Sequence, residues 1–359
     1  MKIDKEIIFF QKKKIEKNIV KYKTKIKEIL KILNKTGLRI VYVVDKNYNF
    51  IGTINDGDIR RGFLKGFSLS NSCFSLVNKK SKFIRESHHY SNVSKTIDLN
   101  NIDHLTVINS QRKIIGTYLV LKKNTTSLNN NIPVVLMAGG KGERLMPLTK
   151  KIPKPMIRID GKPIIEHIIE KLSHEGFKQF YISVNYLANK IQDYFGNGKN
   201  FGVKINYIKE KKYLGTAGSL YFLKNKIKKN FLLINADVIT NINYQNLVKF
   251  HKINKSLITI AVSSYENTIP FGVVQFQGGK LKGFKEKPIF KHYVNAGVYS
   301  VEPSVLKHFK KPQNLSMPEL FMRDKIKKRT IIYPIHEGWT DLGTKKNLIK
   351  AKKQMKRKK

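Results

Sequence analysis

Residues 136–155, LMAGGKGERLMPLTKKIPKP, gather glycines and cationic side chains behind an apolar run. The glycines let the backbone approach a phosphate and present its N–H groups. Arg144 adds a guanidinium that can bind two phosphate oxygens, and Lys154 adds an ammonium between two prolines. A Walker A loop would need Gly-Lys-Ser or Gly-Lys-Thr, and a dinucleotide fingerprint would need glycine in place of Leu145. The segment therefore predicts a phosphate-binding loop of another kind.

The pattern G-x-G-x-R-L-x-P-L-T followed by P-K-P resembles the signature of the sugar-1-phosphate nucleotidyltransferases, and the similarity extends over residues 132–350. This resemblance implies that an NTP and a sugar 1-phosphate are the substrates and that pyrophosphate is released. The sugar phosphate oxygen is itself the nucleophile, so no Ser-His-Asp or Cys-His arrangement is needed. Glu143 departs from the pattern, because the family often has Thr or Ser there.

Two aspartates distant in sequence are the metal ligands that the resemblance implies. Asp237 ends the apolar run FLLINAD, and Asp341 lies in WTDLGT. Mg²⁺ prefers one or two carboxylates together with phosphate oxygens and waters, which suits a triphosphate substrate. Taken alone, each aspartate is equally compatible with a helix cap or a turn.

The resemblance also implies the remaining site residues. Glu286 can accept hydrogen bonds from sugar hydroxyls and Lys287 can bind the sugar phosphate, while small residues at 213–220 permit close approach of a base. The catalytic set is Arg144, Lys154, Asp237 and Asp341. The nucleotide-binding set is Ala138, Gly139, Gly140, Gly142, Asn185, Gly215, Thr216 and Ala217. The sugar-phosphate set is Gly272, Glu286, Lys287 and Asn295.

The loop sequences look most like mannose-1-phosphate guanylyltransferases and the CBS-fused guanylyltransferases of nonulosonic (legionaminic) acid pathways. The resemblance thus favours GTP with glucosamine 1-phosphate, for surface-polysaccharide biosynthesis. Other pairings stay open: CTP with glucose 1-phosphate, or UTP or dTTP with a hexose 1-phosphate. A binding protein is the alternative of another class, either an inactive CBS-linked nucleotide sensor or a polyanion binder.

The elements that must position these residues alternate between apolar strands and helices after residue 132. This alternation, with short connections, predicts parallel βαβ units and an α/β, doubly wound, mostly parallel Rossmann-like sheet. Ligands bind such sheets at the carboxyl ends of the strands, where the glycine-rich loop and Asp237 both fall.

An internal repeat precedes this region. Residues 42–54 and 106–118 align without a gap, each as two apolar strands around a polar turn, and a helix with one apolar face ends before Gly37. The segment resembles a pair of CBS modules, in which the aspartate matching Asp58 implies an adenine nucleotide. Asn55 stands where the family has a hydroxyl residue, and the second copy lacks the aspartate. Nucleotide sensing and a purely structural or dimerising role both remain open.

These patterns predict four segments of the chain. They are a CBS-pair domain at 1–121, a linker at 122–133, a nucleotidyltransferase domain at 134–350 and a basic tail at 351–359. The net charge of +45 comes from lysines scattered along the chain, which indicates codon bias and makes nucleic-acid binding unlikely. One cysteine, no signal-peptide core and no long apolar run predict a cytoplasmic protein without membrane contact. We also expect a homo-oligomer.

Overall fold

The computed structural model describes residues 5–36, 38–86, 90–100, 102–122, 132–210 and 212–356. It divides into two compact units, Met1–Thr126 (unit 1) and Ser127–Lys359 (unit 2). Gly37 and most of the predicted linker at 122–133 lie outside the described residues.

Unit 1 contains seven strands and four α-helices in its described residues. The strands are β1 (Lys5–Gln11), β2 (Ile19–Lys21), β3 (Ile40–Val44), β4 (Phe50–Asn55), β5 (Phe83–Arg85), β6 (His104–Ile108) and β7 (Ile114–Lys122). The helices are α1 (Lys12–Ile15), α2 (Ile26–Thr36), α3 (Asp56–Leu64) and α4 (Tyr90–Asn100).

The two halves of unit 1 repeat one topology. In the first half β3 pairs in parallel with β2 and antiparallel with β4, and in the second β6 pairs in the same way with β5 and β7. Both hairpins have a register shift at the same place, between Val43 and Val44 and between Val107 and Ile108. A helix, α2 or α4, connects the parallel strands of each half. The repeat seen in the sequence is therefore a structural repeat.

The two halves also share a core. Tyr42 and Phe50 of the first half are buried in one apolar cluster with Ile108 and Ile114 of the second. The helix α2 buries the apolar face that its spacing predicts, listed here as Ile26, Ile29, Leu30 and Leu33. Each half thus covers an apolar face that it could not bury alone.

Unit 2 contains thirteen strands and six α-helices in its described residues. The strands are β8 (Val134–Met137), β9 (Arg158–Ile159), β10 (Lys162–Pro163), β11 (Gln179–Val184), β12 (Lys204–Lys209), β13 (Phe231–Asn235), β14 (Val238–Thr240), β15 (Ile258–Thr268), β16 (Val273–Gln277), β17 (Lys280–Lys285), β18 (Ile289–Val301), β19 (Thr330–Ile335) and β20 (Trp339–Asp341). The helices are α5 (Ile164–His174), α6 (Ala188–Phe195), α7 (Tyr244–Ile253), α8 (Met317–Phe321), α9 (Asp324–Lys327) and α10 (Lys345–Lys356).

A seven-stranded sheet in the order β12-β11-β8-β13-β18-β15-β19 forms the centre of unit 2. Its pairs are parallel except those of β18, which is antiparallel to both neighbours. After β8 the chain first builds outwards through β11 and β12 and then crosses back to β13 on the other side. This reversal is the switch point at which doubly wound sheets open a ligand crevice.

Both faces of this sheet are covered. Val134 and Leu136 of β8 point into a core shared with α5, α6, α7 and α10, whereas Val135 points into a second core shared with α8 and α9. Alternation of buried residues on the two faces is the pattern of a strand between two helical layers. The predicted doubly wound, mostly parallel α/β fold is confirmed.

The C-terminal helix α10 runs into the segment predicted as a basic tail. Leu348 and Ala351 are buried in the first of these cores, so the segment is packed at its beginning and helical as far as Lys356. Among the described residues, no helix combines the length and the apolar character needed to cross a membrane.

Candidate active site

A cavity of about 570 Å³ opens at the carboxyl ends of β8 and β13. Ten of the predicted site residues line it, namely Ala138, Gly139, Gly140, Gly142, Arg144, Lys154, Gly215, Thr216, Asp237 and Asp341. Its other lining residues are Met137, Lys141, Glu143, Pro155, Glu210, Tyr213, Asn235, Ala236 and Gly343. The volume lies in the range of small-molecule sites in proteins.

The two aspartates meet because short strands pair near the cavity. Asp237 follows β13 and immediately precedes β14, which pairs antiparallel with β20 so that Val238 faces Asp341. The Leu342 N–H also donates to the Asp237 carbonyl at 3.0 Å. Backbone hydrogen bonds, and not attraction between side chains, therefore bring two like-charged carboxylates to one site.

Lys154 supplies the opposite charge. Its side chain is buried, and its ammonium forms an ion pair with the Asp237 carboxylate and lies 4.0 Å from Asp341 Oδ1. The Gly343 N–H donates to the same Asp341 oxygen at 2.5 Å. A short 3₁₀ helix, Lys154–Met156, begins directly after Pro153 and fixes the backbone of Lys154. The cavity thus has two carboxylates around one cation.

The glycine-rich loop closes this part of the cavity. Gly142 has a left-handed backbone (φ 66°) and precedes the 3₁₀ helix Glu143–Leu145, which carries Arg144. Its carbonyl accepts a hydrogen bond from Thr149 Oγ1 at 3.0 Å. A Cβ built on Gly343 would lie 2.9 Å from Arg144 Nη2 and 2.8 Å from Asp341 Oδ1, so the guanidinium lies beside the second aspartate.

Glu210 lines the cavity and was missed by sequence reasoning. Its buried carboxylate accepts hydrogen bonds from Ser183 Oγ at 2.5 Å and from the Leu214 N–H at 3.0 Å. Burial raises the pKa of this carboxyl above its usual range, and the two hydrogen bonds oppose that shift. Gly139 leaves it room, because a Cβ there would lie 2.9 Å from Glu210 Oε1. One glutamate among lysines carries no motif that would have identified it.

The loop at 213–217 is fixed by a distant segment. The Ala217 N–H donates to the Leu315 carbonyl at 2.8 Å, and Thr216 Oγ1 accepts from the Met317 N–H at 2.8 Å. Ala217 is buried and does not line the cavity. Asn185 does not line it either, because its amide donates to the Glu210 carbonyl at 2.7 Å.

The predicted sugar-phosphate residues lie outside the cavity lining. Gly272, Glu286 and Lys287 belong to an exposed β-arm, where a Cβ on Gly272 would lie 3.0 Å from Glu286 Oε2. Asn295 donates to Tyr299 Oη at 2.8 Å and accepts from the Gly297 N–H at 3.0 Å. The structure therefore groups Gly272 with Glu286, and none of the four residues lines the cavity that the two aspartates share.

In unit 1 the Asp58 carboxylate is already engaged. It accepts from the Asn55 N–H at 2.9 Å, while the Asn55 side chain accepts from the Asp58 N–H, which forms a capping box at the start of α3. Its other oxygen pairs with Arg61 Nη2 at 2.6 Å. Asn55 thus replaces a hydroxyl residue with another good N-cap.

A glycine-rich loop, a cation and two carboxylates lie at the switch point of a doubly wound sheet, which is where α/β proteins of this architecture bind ligands. The family model for nucleotidyl transferases matches residues 133–358, and the chain belongs to that family. A CBS domain model matches residues 16–65, within the first half of unit 1.

Curated relatives cover the same region. The bifunctional protein GlmU of Methanococcus maripaludis is 33% identical over 227 residues, which cover 60% of this chain and 53% of the relative. The mannose-1-phosphate guanylyltransferase catalytic subunit beta of Drosophila pseudoobscura pseudoobscura is 31% identical over 232 residues, which cover 62% of each chain. The chain thus spans between half and two thirds of the length of these relatives.

Solved structures share the fold. A Bacillus anthracis protein assigned as a glucose-1-phosphate thymidylyltransferase, in complex with sucrose, gives a TM-score of 0.52 at 24% identity, covering 62% of this chain and 94% of its own. HddC from Yersinia pseudotuberculosis, complexed with GMP-PN, gives a TM-score of 0.50 at 23% identity, and the match covers 62% of this chain and 99% of HddC.

Replacing Gly142 with alanine should destabilise unit 2. The new Cβ would lie 2.9 Å from Lys154 Cβ at a backbone angle that alanine disfavours, at a cost of about 1–3 kcal/mol. Urea unfolding followed by the fluorescence of Trp339, the single tryptophan, measures this unit. Gly140→Ala is the control, because its Cβ meets no atom within 4 Å. Equal midpoints for the two variants would contradict the packing described here.

Proposed function

We propose that the chain transfers a nucleoside monophosphate, best GMP from GTP, to a sugar 1-phosphate, best glucosamine 1-phosphate. The product is an NDP-sugar for surface-glycan synthesis, and pyrophosphate is released. The observation that carries the proposal is the Lys154 ammonium between Asp237 and Asp341, in a cavity closed by a glycine-rich loop. A triphosphate and a divalent cation both suit this arrangement of charges.

The residues of the cavity would act by positioning and by neutralising charge. An oxygen of the sugar phosphate forms a bond to the α-phosphorus while the bond to the pyrophosphate oxygen breaks, so no covalent enzyme intermediate is needed. Arg144 and Lys154 would hold the phosphates, and N–H groups of the glycine-rich loop would donate to them. In this proposal Glu286 accepts hydrogen bonds from the sugar hydroxyls and Lys287 binds the sugar phosphate, which requires the arm to approach the cavity.

Members of this family generally use a divalent metal ion, and the donor set of the cavity fits Mg²⁺. Asp237 and Asp341 would hold the ion, because hard carboxylate oxygens are the ligands that Mg²⁺ prefers and the pair already attracts an ammonium. When bound, the ion would neutralise the triphosphate and the departing pyrophosphate.

Pyrophosphate release tests this proposal with GTP, CTP, UTP and dTTP against glucosamine, mannose and glucose 1-phosphates. We expect release with GTP and a hexose or hexosamine 1-phosphate, and its loss on adding EDTA. Asp237→Asn should lower kcat/KM by on the order of a hundredfold or more, whereas Asp193→Asn, on the exposed side of α6, should not change it.

Two outcomes would reject the proposal. A wild-type rate in Asp237→Asn would show that this aspartate is not a metal ligand. If no pair of NTP and sugar 1-phosphate released pyrophosphate and GTP still bound tightly, the chain would be an inactive CBS-linked binding protein.

Glu210 supports guanine as the base. A carboxylate offers about four acceptor positions, of which Ser183 and Leu214 use two, and guanine presents adjacent N1–H and N2–H₂ donors. The guanylyltransferase relatives and the neighbour solved with GMP-PN point in the same direction. We infer that the free positions of the Glu210 carboxylate accept from the base.

Glu210→Gln should lower the preference for GTP over the other NTPs by about tenfold to a hundredfold, because a bidentate contact to a base is worth about 1–3 kcal/mol. Ratios of kcat/KM for the four NTPs measure this. Glu143→Gln is the matched control, since it removes the same charge from the same cavity at an exposed position. An unchanged ratio in Glu210→Gln would refute the assignment of the base.

A second proposal concerns unit 1, where we place an adenine nucleotide. A cavity of about 480 Å³ is lined by Lys12 and Lys13, which suit phosphates, and by the rings of Phe9 and Tyr118, whose centroids are 4.8 Å apart. An aromatic pair suits a base. The Asp58 carboxylate is satisfied by local partners, so this cavity is the better location.

AMP should therefore bind the full chain and change its rate of pyrophosphate release. Lys12→Ala combined with Lys13→Ala should weaken AMP binding, measured by calorimetry, by about tenfold or more. Asp58→Asn should leave AMP affinity unchanged. If AMP neither binds nor changes the rate, unit 1 keeps a structural or dimerising role.

A further inference from the structure

A 30-residue β-arm leaves the central sheet of unit 2. The strands β15 and β18 are buried in their sheet-bound halves, and their outer halves continue as a ribbon that pairs Ser264 with Tyr293 and Thr268 with Ile289. The hairpin of β16 and β17 lies at its end. The structure describes all of residues 264–293, and none of them is buried.

The hairpin is amphipathic in the way that strands are. Cross-strand partners share a face, and the pairs Val274–Phe284 and Phe276–Leu281 form one apolar face. Gln275, Gln277 and the strand lysines lie on the other face or at the bulge. Gly278 and Gly279, both with positive φ, form the two-residue turn that fixes this register. This pattern is typical of a strand pair that packs one face against an apolar surface.

The described residues of unit 2 leave most of that face uncovered. Phe276 is 72% exposed, Leu281 69% and Phe284 61%, and Phe271 beside them is 72% exposed. Nine of the 23 large apolar side chains that the described residues expose lie in this arm. A two-stranded hairpin is marginally stable in water on its own, so a covered face is what would stabilise it.

We propose that a second copy of this chain covers the face, with the two hairpins packed about a two-fold axis. The chain carries a net charge of +45, so two copies repel each other over most of their surfaces. The apolar face formed by Val274, Phe276, Leu281 and Phe284 has no charged residue. In a two-fold contact the same surface of each copy meets, so a lysine-rich surface would place lysine against lysine. This apolar face can pack against its own copy without that repulsion.

The available area fits a dimer. Phe276 and Phe284 of the hairpin and Phe271 beside it expose roughly 400 Å², taking about 200 Å² for each ring side chain that is fully exposed. Tyr265 and Phe290 lie on one face of the ribbon and add roughly 200 Å², whereas Tyr293 and Ile289 lie on its other face. A standard interface buries about 800 Å² on each partner. Val274 and Leu281 of the hairpin's apolar face add to this, so the exposed area approaches that of a standard interface.

An anionic partner suits this face less well. Nucleic acid or an acidic protein would be attracted by lysines, and Lys280 and Lys285 lie on the side of the hairpin away from the apolar face, since Lys280 pairs with Gln277 and Lys285 with Val273. The same placement disfavours a membrane, where lysines would need to lie around the inserted side chains. This inference does not rest on the proposed reaction.

Sedimentation velocity of the full chain over a wide concentration range tests the dimer. We expect a wild-type dimer that strengthens as salt screens the repulsion between copies. Phe276→Glu should raise the dimer dissociation constant by about a hundredfold or more, because each dimer would carry two buried charges at the axis. Gln277→Glu is the matched control, with the same charge on the neighbouring residue and the opposite face, and it should remain dimeric.

Circular dichroism and Trp339 fluorescence verify that both variants are folded. Phe276→Ser serves as a second variant if the glutamate disturbs the hairpin, and it should also dissociate. A wild-type chain that is monomeric at every concentration overturns the proposal, as do equal dissociation constants for Phe276→Glu and Gln277→Glu. Binding of the wild-type chain to phosphatidylcholine vesicles that Phe276→Glu abolishes would assign the face to a membrane instead.

Discussion

The ladder between β14 and β20 is the interaction on which the site depends. It places Asp341 against Val238, next to Asp237, although the two aspartates are distant in sequence. Two carboxylates in one cavity repel each other, although the partial exposure of both to water screens the repulsion. The Lys154 ammonium offsets this repulsion. In the proposed reaction, a bound cation and phosphates would replace this lysine contact.

The positive charge of the chain has a different meaning at different places. Most of the 70 Lys and Arg residues are scattered, and their sum says little about a partner. In the cavity, by contrast, Arg144 and Lys154 are positioned by a glycine-rich turn and by a short 3₁₀ helix. On the β-arm the informative feature is a face without lysines. The location of charge, and not its total, carries the functional argument.

Much of the fold could be predicted because it follows from local patterns. Apolar strands alternating with helices specified a doubly wound sheet, and the repeat at 42–54 and 106–118 specified two similar halves in unit 1. Less of the site could be predicted. Glu210 stands in no motif, and its location in the cavity results from hydrogen bonds to Ser183 and Leu214. Ala217 and Asn185 occur in suggestive sequences, but neither lines the cavity, and each donates to a backbone carbonyl, of Leu315 or of Glu210.

The sequence by itself determined the class of fold and the location of the glycine-rich loop, because strand periodicity and glycine spacing act over a few residues. Only the tertiary structure decided which side chains meet. The approach of Asp341 to Lys154 needs a strand pair between distant segments, and the exposure of Phe276 depends on the arm leaving the sheet. Long-range contacts depend on how whole elements pack, so no local pattern records them.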